Sequence, residues 1–356
     1  MDSVEIGLLT CSPHNEIYSL YGHTALHYHD LRTGADWVFN YGVFDFRKKN
    51  FVWRFVMGET DYRLEATSNF YGWCKYYRKW GSSVEEQVLD LTPAEKLRLA
   101  NALAENLNNP VYRYNIFYDN CSTRPRNIVE RCLEGTVVYG VREDYAPTFR
   151  QMVHQQTVAF PWVSFGNDVL LGLKADMSTT QRDRQFLPAN LYWDFDHATV
   201  DRHGEKRPLV LRHVVHVPQG VQPVKGGFPL SPLACTLLLL GVSVAILVWE
   251  TRRNKVLVWW DALLMLATGL PGCILAVMFF SEHPTTSTNL QILLFNPLSL
   301  LFIPAVVRKR KTPWFTISLC LILLFFIGGL WQDYAEGMEE VALCLLLRFW
   351  VHRHDK

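Results

Sequence analysis

The sequence predicts an α+β domain followed by a helical membrane domain of five spans. Residues 1–228 are mixed, aromatic and charged, with short apolar segments broken by turns. Residues 229–351 are apolar runs separated by short polar loops, covering roughly 230–249, 257–280, 290–307, 313–331 and 338–351. The first four runs approach the ~20 residues that a helix needs to cross a bilayer core, while the fifth is short and interrupted by Arg348. The 356 residues have room for two domains, and the composition divides them into an outer domain, 1–228, and a membrane domain, 229–356.

The loops between the runs set an orientation. Arg252, Arg253 and Lys255 follow the first run, Arg308–Lys311 follow the third, and His352–Lys356 close the chain. The loop at 281–289 has no Lys or Arg, and the one at 332–336 is acidic. Basic loops stay in the cytoplasm. The expectation is a multi-pass membrane protein with residues 1–228 outside the cytoplasm and the C-terminus inside. A net charge of +1 and the lack of a basic face speak against a nucleic-acid partner. No Gly-rich phosphate loop is present and no cofactor is expected. The spacing of Cys11, Cys74, Cys121 and Cys132 fits no zinc pattern, so no metal is expected either. The compartment would allow a disulfide, but the sequence does not choose a pair. Export requires a signal, and none precedes Pro13, so the expectation is that one has been removed. Leu8–Cys11 has the outline of a lipoprotein cleavage box without the apolar region upstream. A strand running into a turn at Ser12-Pro13 is the better reading.

In the outer domain, residues 5–10 read as a strand. Residues 22–28 and 36–41, rich in aromatics and separated by Thr33-Gly34, read as a β-hairpin, and residues 84–91 as a further strand. Thr92-Pro93-Ala94-Glu95 opens a helix as a capping box with proline at its first position, and Asn108-Asn109-Pro110 ends it. Residues 122–133 read as a second helix with Ile128, Val129 and Cys132 on one side. Residues 189–195 and 209–217 supply further elements.

Cys121 stands at the start of that second helix, where backbone N–H groups favour a thiolate, with Arg124 and Arg126 one turn on. A thiolate nucleophile needs a proton partner, and His23, on a strand after Gly22, is the candidate base. A third polar group orients such a histidine. Asn40 on the neighbouring strand is the first choice and Asp45 the second. A cysteine at a helix start is more often structural than catalytic, and the domain offers other histidines, including His14, His27, His29 and His154. Arg124 and Arg126 read either as phosphate contacts or as a plain helix face.

Gly22–Tyr28 followed about 100 residues later by Asn120-Cys121-Ser122-Thr123 resembles the permuted papain-like arrangement, found in NlpC-type enzymes and in the lecithin-retinol acyltransferase group. The Ser-Thr-Arg-Pro-Arg that follows Cys121 departs from the latter group. A resemblance covering nearly the whole chain is to the Lnb family of Bacteroides and relatives. It rests on Leu9–Pro13, Tyr21–Ala25, Asn40–Phe44, Tyr118–Thr123, His283-Pro284, Asn296-Pro297 and the five spans. The departures are the missing signal sequence and His27, where Arg is the expectation, and His27 is given no role.

The Lnb resemblance implies a lipoprotein N-acyltransferase. A fatty acyl chain would pass from a membrane phospholipid to Cys121 as a thioester, then to the α-amino group of a diacylated lipoprotein, with His23 moving the protons and Asn40 holding its tautomer. Tyr21, Arg124, Arg126 and His283 are the candidate substrate contacts. His283 lies in the 281–289 loop, at the mouth of a groove that the spans could form. The competing readings are a membrane-held thiol peptidase or amidase acting on the cell wall, a phospholipase, and a non-catalytic membrane sensor.

Overall fold

The computed structural model describes the chain apart from residues 46, 48, 223–226, 355 and 356, and apart from the side chains of 350, 353 and 354. The strands are β1 Val4–Cys11, β2 His23–Asp30, β3 Ala35–Val43, β4 Asp61–Thr67, β5 Val84–Leu89, β6 Val111–Arg113, β7 Thr136–Val138, β8 Thr199–Arg202, β9 Glu205–Pro208 and β10 Val210–Val217. The helices are α1 Phe51–Val56, α2 Phe70–Lys79, α3 Pro93–Asn108, α4 Thr123–Cys132, α5 Phe149–Thr157, α6 Pro161–Leu170, α7 Gln181–Arg184, α8 Pro188–Asp196, α9 Pro232–Arg253, α10 Val258–Phe279, α11 Ser299–Val307, α12 Trp314–Gly328 and α13 Met338–His354. They form two compact units, Met1–Pro147 with Ser178–Gly226, and Thr148–Met177 with Gly227–Lys356.

The first unit is built on a seven-stranded sheet in the order β10-β5-β1-β2-β3-β4-β6, antiparallel throughout. Because successive side chains of a strand point to opposite faces, β1 feeds two cores. Ile6 and Leu8 join Leu26, Leu99, Leu103, Ile128, Val129, Leu191 and Phe195 on the face covered by α3, α4 and α8. Leu9 and Cys11 join Ala25, Val38, Val84, Cys74 and Tyr77 on the face covered by α2. Burial on both sides explains why residues 6–9, Ile-Gly-Leu-Leu, are apolar without alternation.

The local signals of this unit act as their chemistry dictates. Asp30 accepts from Arg32 N and Thr33 Oγ1, and Gly34 takes a φ of +72°, which closes the β2–β3 hairpin. Thr92 Oγ1 accepts from Glu95 N while Glu95 Oε2 accepts from Thr92 N, the reciprocal cap that starts α3.

In the second unit, α9 and α10 are long and apolar enough to cross a membrane, with mean hydropathies of 2.3 and 2.2. Only 11% of the apolar window of α9 is buried. A helix this apolar that stays uncovered suits lipid contact rather than a protein core. The other apolar runs form shorter helices. The run at 290–307 is not one helix. A 3₁₀ turn, Leu290–Leu293, and α11 are separated at Asn296-Pro297, since a proline supplies no N–H and disfavours a helical residue before it. At this break the chain comes so close to α10 that a Cβ on Gly272 would lie 2.4 Å from the Phe295 carbonyl oxygen.

Arg348, the charge that interrupts the fifth run, is buried. It donates to Glu250 of α9 at 2.6 and 2.8 Å and to Asp261 of α10 at 2.5 Å, and so ties three helices. Charges within an apolar bundle persist by pairing in this way.

Residues 148–177, which composition alone leaves with the outer domain, pack in the helical unit. The reason is a set of polar ties to residues more than 100 positions later. Gly172 N and Leu173 N donate to the carbonyls of Thr285 and Thr288, Asn289 Nδ2 to Val169 O, and Gln291 Nε2 to Asp168 O. Arg150 anchors the segment from within. It is fully buried, and donates to Asp176 at 2.7 Å, to Asp168 at 3.0 Å and to the Leu171 carbonyl at 2.9 Å.

Replacing Arg150 by Met takes the guanidinium from Asp176 and leaves Asp168 with His154 alone, a loss of about 3–5 kcal/mol. Thermal unfolding of the detergent-purified protein should show a clearly lowered midpoint and faster proteolysis within 148–177. A midpoint equal to that of the parent chain contradicts this account of the anchor.

Candidate active site

His23 is the first residue of β2, placed opposite Cys11 of β1. Asn40 lies on β3 next door, on the same sheet face as Val38 and two residues before the conformational break at Gly42 (φ +92°). The His23 Nε2–H donates to Asn40 Oδ1 at 2.5 Å. The other ring nitrogen is left for Cys121, with which the imidazole shares a hydrogen bond. Asp45 does not reach the histidine, and is paired with Arg47.

Cys121 precedes Ser122, the N-cap of α4. The turn is fixed by Asn120, which is buried. Its Oδ1 accepts from Ser122 N at 2.8 Å and Thr123 N at 2.9 Å, and its Nδ2 donates to the carbonyls of Ile116 and Phe186. The N–H groups of Ser122 and Thr123 at the helix start are therefore taken by Asn120 and not by the sulfur. The sulfur instead receives hydrogen bonds from His23, the Thr24 backbone N–H and the Ser122 hydroxyl. Thr24 Oγ1 and Ser122 Oγ, 3.0 Å apart, link β2 to the head of α4 and hold the two halves of the site together.

The electrostatics set Cys121 apart. Burial pushes the thiols of Cys11 and Cys132 up, and that of Cys74 up to about 11. Crowding by protein also works against a charge on Cys121, but the imidazolium of His23 and the hydrogen bonds override it, and the thiol lies below its ordinary range. Burial likewise works against a charged His23, but the thiolate beside it and the bond to Asn40 raise it. The thiolate therefore forms at a lower pH, and the imidazolium persists to a higher pH, than either group would show without the other. All eight cysteines are free thiols.

The remaining expected residues fall in different places. Tyr21 is half-buried in the turn before Gly22, within electrostatic reach of Tyr114. Arg124 is paired with Asp119 at 2.7 and 2.8 Å and stacks its guanidinium 3.6 Å from the centre of the Tyr112 ring. Arg126 is buried and turned inward. It donates to Asn127 Oδ1, the Arg182 carbonyl and Gln185 Oε1, and so holds α4 to α7. His283 sits in a turn of the helical unit, where its carbonyl accepts from Thr286.

Two further residues flank the site, Gly42 from the Asn40–Phe44 motif and Tyr112, which lies in no motif. A Cβ built on Gly42 would lie 3.5 Å from Cys121 Cβ and 3.9 Å from Tyr112 Oη, so the glycine keeps open the gap between thiol and phenol. The Tyr112 hydroxyl is buried and has no hydrogen-bond partner among the described residues. Burial first, then the charge of Cys121, pushes its ionisation up, so it stays a neutral donor.

An α+β domain holding a thiol–imidazole pair, on a chain with lipid-length apolar helices, defines a membrane protein with a folded domain outside the bilayer. Residues 1–155 match the model of the Lnb N-terminal periplasmic domain, and residues 224–355 that of the Lnb transmembrane domain. The chain belongs to the Lnb family. No curated protein and no solved structure matches it.

Alkylation of Cys121 by iodoacetamide, followed against pH, should rise on the acid side of an ordinary thiol. In His23→Ala the curve should move to the alkaline side, because the crowding remains when the imidazolium is gone. Coincident curves for the two proteins contradict the pairing.

Proposed function

We propose that this protein is a lipoprotein N-acyltransferase that uses Cys121 as nucleophile and His23 as acid and base. The observation that carries the reading is the Cys121–His23–Asn40 chain of hydrogen bonds on a protein with a membrane domain. The order of the residues, histidine on an early strand and cysteine before a later helix, supports a permuted papain-like domain.

The reaction divides into two displacements. Thiolate Sγ attacks the ester carbonyl carbon of a phospholipid. The carbonyl oxygen becomes an oxyanion, held by the Cys121 backbone N–H and the Tyr112 hydroxyl across the gap kept by Gly42. The C–O bond breaks as His23 gives its proton to the leaving alkoxide. A lysophospholipid departs and the acyl chain stays as a thioester. The α-amino group of a diacylated lipoprotein then attacks the thioester. Neutral His23 takes the amine proton, the C–S bond breaks, and the charged pair is restored with an amide as product. Arg124, stacked on Tyr112, orients the phenol and lies where a donor phosphate would be met.

A membrane domain suits these substrates, because their acyl chains lie in the bilayer and lifting one into water costs about 0.8 kcal/mol for each CH₂. A cell-wall peptidase with the same pair would need no more than an anchor. In this reading the segments at 290–307, 314–328 and 338–354 complete five crossings. The basic loops face the cytoplasm with the C-terminus, and Cys121 works on the periplasmic side of the inner membrane.

The test is mass spectrometry of lipoprotein N-termini in cells that depend on this protein. N-acylated termini are expected with the parent chain and free amines with Cys121→Ala. With purified protein, Tyr112→Phe should lower kcat by about 10²–10³-fold with KM little changed. N-acylation that persists in Cys121→Ala, or an unaltered kcat in Tyr112→Phe, would refute the corresponding role.

A further inference from the structure

Among the described residues, one group outside the Cys121 site brings three potential metal-ligating side chains together: His27, Glu86 and His216, whose ligand atoms lie within 4.8 Å of one another. They come from β2, β5 and β10. His27 and Glu86 are each only 4% exposed, and His216 is 21% exposed at its side chain. His27 lies four residues beyond His23 on the same strand, about 13 Å along it, so the group stands apart from the thiol pair.

The backbone is shaped around this group. Gly7 of β1 pairs with both His27 and Val88, so it lies between the strands that carry the group. A Cβ at Gly7 would fall 2.1 Å from Glu86 Oε1. Only a residue without a side chain lets the Glu86 carboxylate reach across β1 to the histidine. There Glu86 Oε1 accepts from His27 Nδ1 at 2.8 Å, and Glu86 Oε2 accepts from His216 Nε2 at 2.6 Å. The far nitrogen of His27, Nε2, donates to Asp36 at 2.7 Å. That is the partner a metal-bound histidine usually has, a carboxylate that fixes its tautomer and raises its basicity. The Phe70 ring stacks 4.2 Å from His27 and meets His216 edge-on at 4.8 Å, and it shields the group from water.

We propose that His27, Glu86 and His216 form a binding site for a divalent transition-metal ion, zinc above all. Two imidazoles and one carboxylate are a donor set suited to zinc. Tetrahedral zinc places its ligand atoms about 3.3 Å apart, and the three ligand atoms here lie within 4.8 Å of one another. Binding forms three metal–ligand bonds and releases the protons that His27 Nδ1 and His216 Nε2 share with Glu86. Water or the second Glu86 oxygen completes the coordination. The ion would staple β2, β5 and β10 across β1, and so brace the strand that begins at His23.

The test uses full-length, tag-free protein in detergent, stripped with a chelator, reloaded with zinc chloride and desalted before metal analysis. The parent chain and Cys121→Ala should each retain about one zinc per chain. Retention should fall at least tenfold in Glu86→Gln and in His216→Ala. Zinc-edge X-ray absorption of the parent chain, which needs no variant, should show a shell of nitrogen and oxygen with imidazole scattering and no sulfur. No retained zinc in the parent chain, undiminished zinc in both variants, or a sulfur ligand would overturn the proposal and leave the group as an ion-pair clamp between strands.

Discussion

The candidate site depends at its centre on the hydrogen bond between one sulfur and one imidazole. Neither partner is in an environment that favours its charge. Burial works against the charge of each, and the charge of the other, together with the hydrogen bonds to Asn40, Thr24 and Ser122, offsets it. Such a pair is stable only if geometry holds both members, and the fold does so from two directions. The sheet fixes His23 through β1 and β3, with Asn40 on its far nitrogen. The buried Asn120 fixes the turn before α4, and the Thr24–Ser122 contact joins the two. Loss of any one of these should loosen the pair before it loosens the fold.

The same constraint accounts for the small residues nearby. Gly42 takes a backbone conformation that other residues seldom adopt, and its missing side chain leaves a gap flanked by a thiol on one side and an unpartnered phenol on the other. An unsatisfied buried hydroxyl costs free energy. Its retention is understandable if a developing negative charge is its partner during a reaction. The wedge of Arg124 on Tyr112 keeps that hydroxyl in place.

Much of this was legible in the sequence because it is local. The capping box at Thr92, the hairpin turn at Gly34, the strand at 84–89 and the helix behind Cys121 are each written in a few adjacent residues. Residues 23, 40 and 121 stand among several possible histidines and cysteines in the sequence, and the family motifs, rather than element placement alone, single them out. In the structure Asn120 takes the N–H groups of Ser122 and Thr123. What the sequence hid is non-local. Tyr112 sits on a three-residue strand with no pattern of its own. Arg126 looked like a helix-face cation until α7 was seen against it. Residues 148–177 have outer-domain composition, but their carbonyls and N–H groups find partners at 285–291. His27, Glu86 and His216 are separated by 59 and 130 positions, and no spacing rule joins them. The break in the run at 290–307 is local, because Pro297 interrupts an apolar stretch long enough to be a single helix.

The central claim is that Cys121 carries an acyl chain because His23 makes it a thiolate. Intact-mass spectrometry of the purified protein after incubation with a phospholipid of defined chains tests it most directly. The account predicts a mass increment of one acyl group, located at Cys121, released by hydroxylamine, and lacking in Cys121→Ala and His23→Ala. No adduct under conditions that support lipoprotein acylation, or an adduct at another residue, would contradict it.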